Sequence, residues 1–397
     1  MNKRKLHNQK LPKAWQKKKK ASTFRHEKTP RLPKPTIGKP VKRNKLLARK
    51  PSAWKLPGIV FISAFVIMIL IIPTLIVLPD KHEEQAQVKV DNPVDQAEAE
   101  DAGEDKAVSL NAGDSPFSVE VMRASSETTE DVPLETYVSR VVAAEMPVEF
   151  EPEALKAQSL AARTYIVDML LDQDQNNGDD KQAVTDTTDN QVYRDETQLQ
   201  KQWGNDYDKN MKKITQAVAE TKGEILTYDD NPIFPAFFST SNGYTENSED
   251  YWENELPYLR SVESPWDEKS PKFLDQQVVS VDEAEQELGV TLSGDLNADV
   301  SRTDGNRVQT VTIGGKEFSG KNIREIFGLR SSDFTMEQKN DHLIFTTKGF
   351  GHGIGMSQYG ANGMAKDGKN YQDIVKYYYQ DIEIEKVTDT APTLVAK

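Results

Sequence analysis

An uncharged stretch of 23 residues, 56–78, constrains the fold of this chain more than any other feature. At about 1.5 Å per residue, a helix of this length crosses the roughly 30 Å hydrocarbon core of a bilayer. The stretch is apolar on every side, whereas a buried helix of a globular domain alternates apolar and polar faces. The preceding tail and the apolar run are both too long for a cleaved signal peptide. We therefore predict a transmembrane helix over residues 56–79.

The charge of the chain differs between the two sides of this helix. Residues 1–57 contain 20 Lys and Arg against one acid, Glu27, which gives +19; because the whole chain carries −13, the remainder carries −32. Positive residues flank a membrane helix on its cytoplasmic side. We expect a single-pass protein of the cell membrane, with its N-terminus in the cytoplasm and its large acidic part outside. Cysteine is absent from the sequence, which excludes disulfides and thiolate chemistry.

Composition divides the rest of the chain into segments. Residues 1–55 are rich in Lys and Pro and are predicted to be a disordered tail. Binding to anionic lipid explains their charge; nucleic-acid binding is the alternative, but no aromatic interleaving or folded motif supports it. Residues 80–107 are predicted to form an acidic stalk. The folded domain is expected over 108–388, followed by a flexible tail at 389–397.

The domain contains both helical and strand patterns. Helices are predicted over 134–145, from 152 onward, and over 214–221, 282–288 and 319–327; strands are predicted over 117–121, 224–228, 233–238, 308–313 and 342–347. This mixture indicates an α+β fold, as one large mixed domain or two lobes behind one N-terminal transmembrane helix.

Glu145 is the first candidate catalytic residue. It stands among small and apolar neighbours at the predicted end of a helix, before Pro147. Loss of hydration disfavours a charged carboxylate, so a Glu in such surroundings keeps its proton at higher pH and can donate it to a leaving oxygen. The alternative is a Glu at a helix end that points into water.

The next helix carries three candidate binding residues. One face of this helix carries Gln158, Ala162 and Tyr165, which follow one another at intervals of four and three residues. Arg163 lies within one turn of them. A surface ion pair is the alternative interpretation of Arg163.

Hydroxyl and amide side chains cluster after the predicted strand over 233–238. Their pattern suits a sugar-binding loop and also an ordinary turn. The candidate binding residues here are Ser239, Thr240, Ser241 and Gly243.

A glycine-rich run at residues 349–360 surrounds His352. Glycine permits close approach of a ligand to the main chain. The run lacks the Gly-Lys-Ser/Thr ending of a phosphate loop and the βαβ context of a dinucleotide site. A Ser357–His352 nucleophile pair and a histidine that only satisfies the backbone are the alternatives. The candidate binding residues are His352, Gly353, Ser357, Gln358 and Tyr359.

The few histidines argue against a metal site. They are His7, His26, His82, His342 and His352, and their spacing forms no ligand cluster. We expect no metal and no other cofactor.

Five motifs in this order resemble the stage II sporulation protein D family. They are residues 143–147 (Ala-Ala-Glu-Met-Pro), 153–158 (Glu-Ala-Leu-Lys-Ala-Gln), 161–165 (Ala-Ala-Arg-Thr-Tyr), 237–243 (Phe-Phe-Ser-Thr-Ser-Asn-Gly) and 351–361 (Gly-His-Gly-Ile-Gly-Met-Ser-Gln-Tyr-Gly-Ala). The resemblance implies a lytic transglycosylase that cleaves the MurNAc–GlcNAc bond of peptide-free peptidoglycan during engulfment in endospore formation. Its implied catalytic glutamate is Glu145, and its implied partners are stage II sporulation proteins P and M.

Two points limit what the resemblance implies. The same domain occurs in amidase-enhancer proteins, so a non-catalytic module that binds glycan and stimulates an amidase is the alternative function. Some relatives hold zinc with Cys and His near the stretch that matches residues 186–193. This chain has Asn190 there and no Cys, so we expect no structural zinc.

Overall fold

The computed structural model describes residues 110, 115–175, 183–187, 190–252, 254–292 and 299–395. The predicted cytoplasmic tail, transmembrane helix and stalk lie outside these residues. No helix of the described ranges has both the length and the apolar composition needed to cross a bilayer.

The described residues form short strands and helices in alternation. The helices are α1 (Leu134–Glu145), α2 (Pro152–Gln175), α3 (Glu196–Trp203), α4 (Tyr207–Glu220), α5 (Ser248–Tyr251), α6 (Val281–Leu288), α7 (Gly320–Phe327), α8 (Gln358–Lys366), α9 (Tyr371–Tyr378), α10 (Val387–Thr390) and α11 (Pro392–Val395). The strands are β1 (Ser118–Arg123), β2 (Thr128–Pro133), β3 (Val184–Thr185), β4 (Glu224–Tyr228), β5 (Asn231–Pro232), β6 (Phe237–Phe238), β7 (Leu274–Ser280), β8 (Val300–Arg302), β9 (Val308–Ile313), β10 (Lys316–Ser319), β11 (Phe334–Lys339), β12 (His342–Lys348), β13 (Met356–Ser357) and β14 (Glu383–Lys386). The predicted α+β class is confirmed.

The strands pair into small sheets and not into one large sheet. Their orders are β2-β1-β3, β10-β9-β8, β11-β12-β7, β14-β4-β5 and the two-stranded β13-β6. Most pairs are antiparallel, but β6 and β13 run parallel, with Phe237 beside Met356 and Phe238 beside Ser357. This pair joins two segments that are about 120 residues apart in the sequence.

Two main buried clusters lie under these elements. The larger surrounds α1 and α2 and includes Val138, Leu155 and Tyr378. The second is built from residues 279–345, with Val311 and Phe345 fully buried. Residues 389–395, which were predicted to be part of a flexible tail, include helical residues, and Ala391 and Leu394 pack into a third, smaller cluster.

The bounds of α1 match the prediction, whereas the strand predicted over 233–238 is regular only in β6. Pro235 interrupts this stretch and has no N–H to donate to a neighbouring strand. The sequence analysis did not predict β2, because its residues Thr-Thr-Glu-Asp-Val-Pro lack an apolar alternation.

A buried ion pair connects α1 to α2. The Arg163 guanidinium donates to both carboxylate oxygens of Glu135, at 3.1 Å from Nε to Oε1 and 2.7 Å from Nη2 to Oε2. Both side chains are 0% exposed. Arg163 also donates to the Glu224 carbonyl at 2.9 Å, and Glu135 accepts from the Gly223 N–H at 3.1 Å. One cation thereby holds α1, α2 and the start of β4 together.

Removing the cation of this pair should destabilise the whole fold. We expect Arg163→Met to lower the free energy of unfolding by about 3–5 kcal/mol, because it leaves the Glu135 charge buried without a partner. The double variant Glu135→Leu/Arg163→Met should recover most of this loss. Denaturant unfolding of the full-length chain measures both variants.

A control is the partly exposed pair of Arg260 with Glu249, at 2.5 Å, whose side chains are 27% and 35% exposed. Arg260→Met should cost only about 0–1 kcal/mol. Equal losses for Arg163→Met and Arg260→Met would contradict the structural importance of the buried pair.

Candidate functional site

Glu145 is the last residue of α1, and its side chain is half-buried beside the segment that follows β3. Its Oε1 accepts a hydrogen bond from the Val192 N–H at 2.9 Å. Within the described residues, Oε2 has no hydrogen-bond partner. The carboxyl group is therefore held by one oxygen and can offer the other to a ligand.

The surroundings of Glu145 favour its protonated form. Burial raises the pKa of this carboxyl above the ordinary value of 4.5, against the opposing effects of the Val192 N–H and the positive charge of Arg194. The end of a helix also carries partial negative charge, which disfavours a carboxylate there. A carboxyl group with these properties can act as a general acid.

The structure brings two of the predicted binding residues to Glu145. Gln358, the first residue of α8, donates from Nε2 to the Glu145 carbonyl at 3.0 Å and contacts the Gln158 Oε1 at 3.4 Å. Gln158 is fully buried on α2, and its Nε2 has no hydrogen-bond partner among the residues that the structure describes. The ends of α1 and α8 and the middle of α2 therefore meet at one point.

The predicted loop of 239–243 lies against the glycine-rich run. Beyond the β6–β13 pair, Thr240 and Phe350 exchange two backbone hydrogen bonds, at 3.0 and 2.7 Å. Gly351, with φ +127°, brings the main chain so close to Phe238 that a Cβ atom would lie 2.7 Å from the Phe238 Cβ. Packing against Phe238 therefore accounts for the glycine at position 351, and no contact with a ligand is needed to explain it.

The hydroxyl groups of Ser241 and Ser357 bind a buried carboxylate inside the protein. Both are 0% exposed, and both donate to the buried carboxylate of Asp267, at 2.8 and 2.6 Å. Ser264 donates to the same carboxylate at 2.6 Å. Burial raises the pKa of Asp267, and the serine hydrogen bonds oppose that rise. Among the described residues Ser357 has no hydrogen bond to His352. The predicted binding roles of both serines stay predictions.

His352 lies among aromatic rings. Its imidazole centroid is 5.7 Å from Phe238, 5.9 Å from Tyr251 and 5.6 Å from Trp252. Its Nδ1 accepts from the Ile354 N–H at 3.0 Å. Burial, and then the positive charge of Arg324, lowers the pKa of His352 to about 3. The ring is therefore neutral at physiological pH and offers an apolar face.

Tyr165 is half-buried in the middle of α2. Its hydroxyl accepts from Asn190 Nδ2 at 3.4 Å, and its ring lies 6.3 Å from that of Phe234. The Asn190 Oδ1 accepts from the N–H and hydroxyl of Thr185, at 3.0 and 2.9 Å. Asn190 thus closes the turn after β3 through its amide.

Arg163, Thr240, Gly243 and Gly353 also have internal roles. Arg163 is 0% exposed and is ion-paired with Glu135, and its predicted role in binding a glycan strand stays a prediction. Thr240 is 1% exposed, and its hydroxyl pairs with that of Ser270. Gly243 and Gly353 accept backbone hydrogen bonds from Ser264 and Glu246, at 2.7 and 2.8 Å.

Ser239 and Tyr359 remain partly exposed. The Tyr359 N–H donates to the Ser239 carbonyl at 3.1 Å. The Tyr359 ring packs edge-on against Phe150, with centroids 4.9 Å apart. Among the predicted binding residues, Gln358 therefore contacts Glu145 and Gln158 contacts Gln358. Tyr359 follows Gln358 in the chain and is bonded to Ser239.

Sequence reasoning missed several neighbours of Glu145. Tyr137 lies two turns before it on α1, donates to Gln191 at 3.2 Å, and has its own pKa raised by burial and then by nearby Tyr165 and Glu145. Its spacing of eight from Glu145 is a helical signal that could have found it. No comparable sequence pattern identifies the Val192 N–H as a hydrogen-bond donor to Glu145. Over the described ranges, no group of three or more His, Cys, Asp or Glu residues is arranged to hold a metal ion.

Removing the positive charge of Arg194 should raise the pKa of Glu145 further, because that charge stabilises the carboxylate. Carbon-13 NMR titration of the Glu145 carboxyl in the Arg194→Gln variant measures the change. Lys201→Gln, on the exposed side of α3, is the control and should leave the pKa unchanged. A fall in the Glu145 pKa in Arg194→Gln would contradict this electrostatic picture.

Comparison with known proteins places the chain among sporulation proteins. Residues 123–228 match the family model described as stage II sporulation protein. Stage II sporulation protein D of Bacillus amyloliquefaciens is 48% identical over 343 residues, which cover 86% of this chain and 99% of the relative.

Two further relatives come from Bacillus subtilis (strain 168). Its stage II sporulation protein D is 47% identical, over 82% of this chain and 94% of the relative. Its amidase enhancer is 28% identical, over 60% of this chain and 39% of the relative. At these identities and coverages, the chain belongs to the stage II sporulation protein D family.

Proposed function

We propose that this protein is a lytic transglycosylase that cleaves the MurNAc–GlcNAc bond of peptide-free peptidoglycan strands during engulfment. The observation that carries the proposal is the state of Glu145: burial raises its pKa, and one of its oxygens has no hydrogen-bond partner among the described residues. Membership of a sporulation family supports the setting.

The proposed reaction uses Glu145 twice. Protonated Glu145 gives its proton to the glycosidic oxygen while the bond from that oxygen to the anomeric carbon breaks. The C6 hydroxyl of the same muramic acid then attacks the anomeric carbon, and the Glu145 carboxylate takes the hydroxyl proton. The products are a free GlcNAc end and a 1,6-anhydro-MurNAc end, and no water is consumed.

The electrostatics around Glu145 fit a mechanism with one carboxyl group. Ordinary glycosidases use two carboxyl groups, about 5–10 Å apart. Burial is the largest cause of the raised pKa of Glu145, and the charge of Arg194 opposes it. An internal nucleophile on the sugar removes the need for that second acid.

A non-catalytic enhancer of a cell-wall amidase is the second candidate function. The similarity to the amidase enhancer favours it. The same neighbours of Glu145 would then bind a glycan strand without cleaving it. The two functions differ in whether new anhydro ends appear.

We also propose where the protein acts. A helix over residues 56–79 would anchor it in the cell membrane, with the basic N-terminus in the cytoplasm and the acidic domain outside. Glycan strands, the membrane, and stage II sporulation proteins P and M are the proposed partners; nucleic acid is not one.

Replacing the Glu145 carboxyl should abolish strand cleavage. We expect Glu145→Gln to lower the rate of anhydro-MurNAc formation by about a hundred- to ten-thousand-fold, the usual contribution of a general acid. Mass spectrometry of peptide-free glycan incubated with the purified full-length chain measures the product. Glu120→Gln, on the exposed face of β1, is the control and should cleave normally.

The same assay separates the two functions. If the unmodified chain and Glu145→Gln both give no anhydro product while the chain still binds the glycan and stimulates an amidase, the enhancer function replaces the transglycosylase.

The proposed orientation has its own test. In intact cells, protease added outside should degrade the domain after residue 108 and leave an epitope tag at the N-terminus protected. Degradation of the tag in intact cells would contradict the proposed orientation.

A further inference from the structure

Strand β7 lies at the end of its sheet and has one open side. The strand has seven residues, and no other strand of the described ranges pairs with its outer side. Towards β12, the Phe273 carbonyl accepts from the Gly349 N–H at 2.7 Å. At the other end, the Val281 N–H donates to the Asp341 carbonyl at 2.9 Å. In an antiparallel pair, such bonded residues alternate with residues whose N–H and C=O groups point away from the partner. The residues that point to the open side are therefore Leu274, Gln276 and Val278.

The outer face of β7 is apolar and exposed. Leu274 is 59% exposed and Val278 is 56% exposed, the highest values among the large apolar side chains of the described residues. Gln276, between them, is exposed as well. Ile344 of β12 is half-buried and lies opposite Val278, so its side chain is on the same face. Apolar side chains at an open sheet edge are typical of a surface that pairs with another chain.

The charges of the edge strands distinguish β7 from the others. Charged side chains on an edge strand discourage its pairing with a second sheet. The single charge of β7, Asp275, lies on the same face as the buried Val279 and is paired with Arg330 at 3.3 Å. The other described edge strands of four or more residues carry two or three charges each, which are Glu130 and Asp131 on β2, Lys316 and Glu317 on β10, Glu337 and Lys339 on β11, and Glu383, Glu385 and Lys386 on β14. The open side of β7 therefore lacks the protection that these edges have.

The sequence of β7 is complementary to an antiparallel copy of itself. In the register centred on Gln276, Leu274 of one copy lies opposite Val278 of the other, and Gln276 lies opposite Gln276. Apolar side chains that face each other across two strands stabilise the pair, and like charges destabilise it. On the opposite face, Asp275 lies across from Gln277, so no like charges meet. Either neighbouring register that keeps the hydrogen bonds would place Leu274 opposite a polar residue.

We infer that β7 is the interface through which two copies of this chain associate. The two β7 strands pair antiparallel about a two-fold axis at Gln276, which gives one continuous sheet in the order β11-β12-β7-β7-β12-β11. Such an interface uses the same surface of both copies, as two-fold dimers require. A strand of this length is only about 23 Å long, and an interface made by one strand edge is small. The dimer is therefore weak, and its population rises with protein concentration.

Disulfide crosslinking tests this interface, because the chain has no cysteine of its own. Gln276→Cys places two thiols opposite each other at the two-fold axis, where the facing Cα atoms are about 5.5 Å apart, a distance that a disulfide can span. Glu337→Cys is the matched control, since it is exposed on β11, the other edge strand of the same sheet. The detergent-solubilised full-length variants are oxidised with diamide, and non-reducing electrophoresis measures the rate of dimer formation.

We expect Gln276→Cys to crosslink about ten-fold or more faster than Glu337→Cys, because pairing holds its two thiols in place. A mixture of Leu274→Cys and Val278→Cys should crosslink, whereas either variant alone should not, which identifies the register. Adding Val278→Lys to Gln276→Cys should return the rate to that of Glu337→Cys, and adding Thr335→Lys, on the exposed face of β11, should leave it unchanged. In sedimentation experiments, Val278→Lys should remove the dimer that the unmodified chain forms at high concentration.

Equal crosslinking rates for Gln276→Cys and Glu337→Cys would overturn the inference, and so would an unmodified chain that stays monomeric at every concentration. Maleimide labelling of Gln276→Cys then gives the reason. Slow labelling means that another segment of the same chain covers β7, and fast labelling means that the edge is open but does not bind a second copy. Circular dichroism of each variant shows that its fold is unchanged, as expected for substitutions of exposed side chains.

Discussion

The buried pair of Arg163 with Glu135 is the interaction on which the geometry around Glu145 depends. Glu135 is in the first turn of α1, and Glu145 ends the same helix. Because a helix is stiff over 12 residues, fixing its start against α2 also fixes the direction of its end. The pair is costly to bury and effective only when all its hydrogen bonds are made. Its bonds to the Gly223 N–H and the Glu224 carbonyl meet that condition.

A second buried charge organises the other side of the site. Asp267 accepts hydrogen bonds from Ser241, Ser264 and Ser357, which come from three separate segments. Ser357 also caps α8, since its Oγ accepts from the Gly360 N–H. The orientation of Gln358 and Tyr359, the next two residues, follows from this cap. The motif residues thus divide into a buried set that shapes the site and a smaller exposed set that lines it.

The sequence predicted the local elements better than the roles of side chains. Periodicity located α1, and the apolar context of Glu145 indicated its raised pKa, because both depend on neighbouring residues. Arg163 and Ser241 were predicted to bind a ligand, but their partners, Glu135 and Asp267, are 28 and 26 residues away. No local pattern reveals such pairings. The hydrogen bond from the Val192 N–H could not be predicted from the sequence for another reason, because every residue except proline has a backbone N–H donor.

The parallel pairing of β6 with β13 affects when the candidate site around Glu145 can form. Gln358, which donates to the Glu145 carbonyl, directly follows Met356 and Ser357, the residues that pair with Phe237 and Phe238. Contacts between such distant segments form late in folding, because a long loop must close before they contribute any stability. A chain still emerging from the ribosome contains Glu145 before it contains Gln358, which lies 213 residues further along. The two segments can therefore meet only after both have been synthesised.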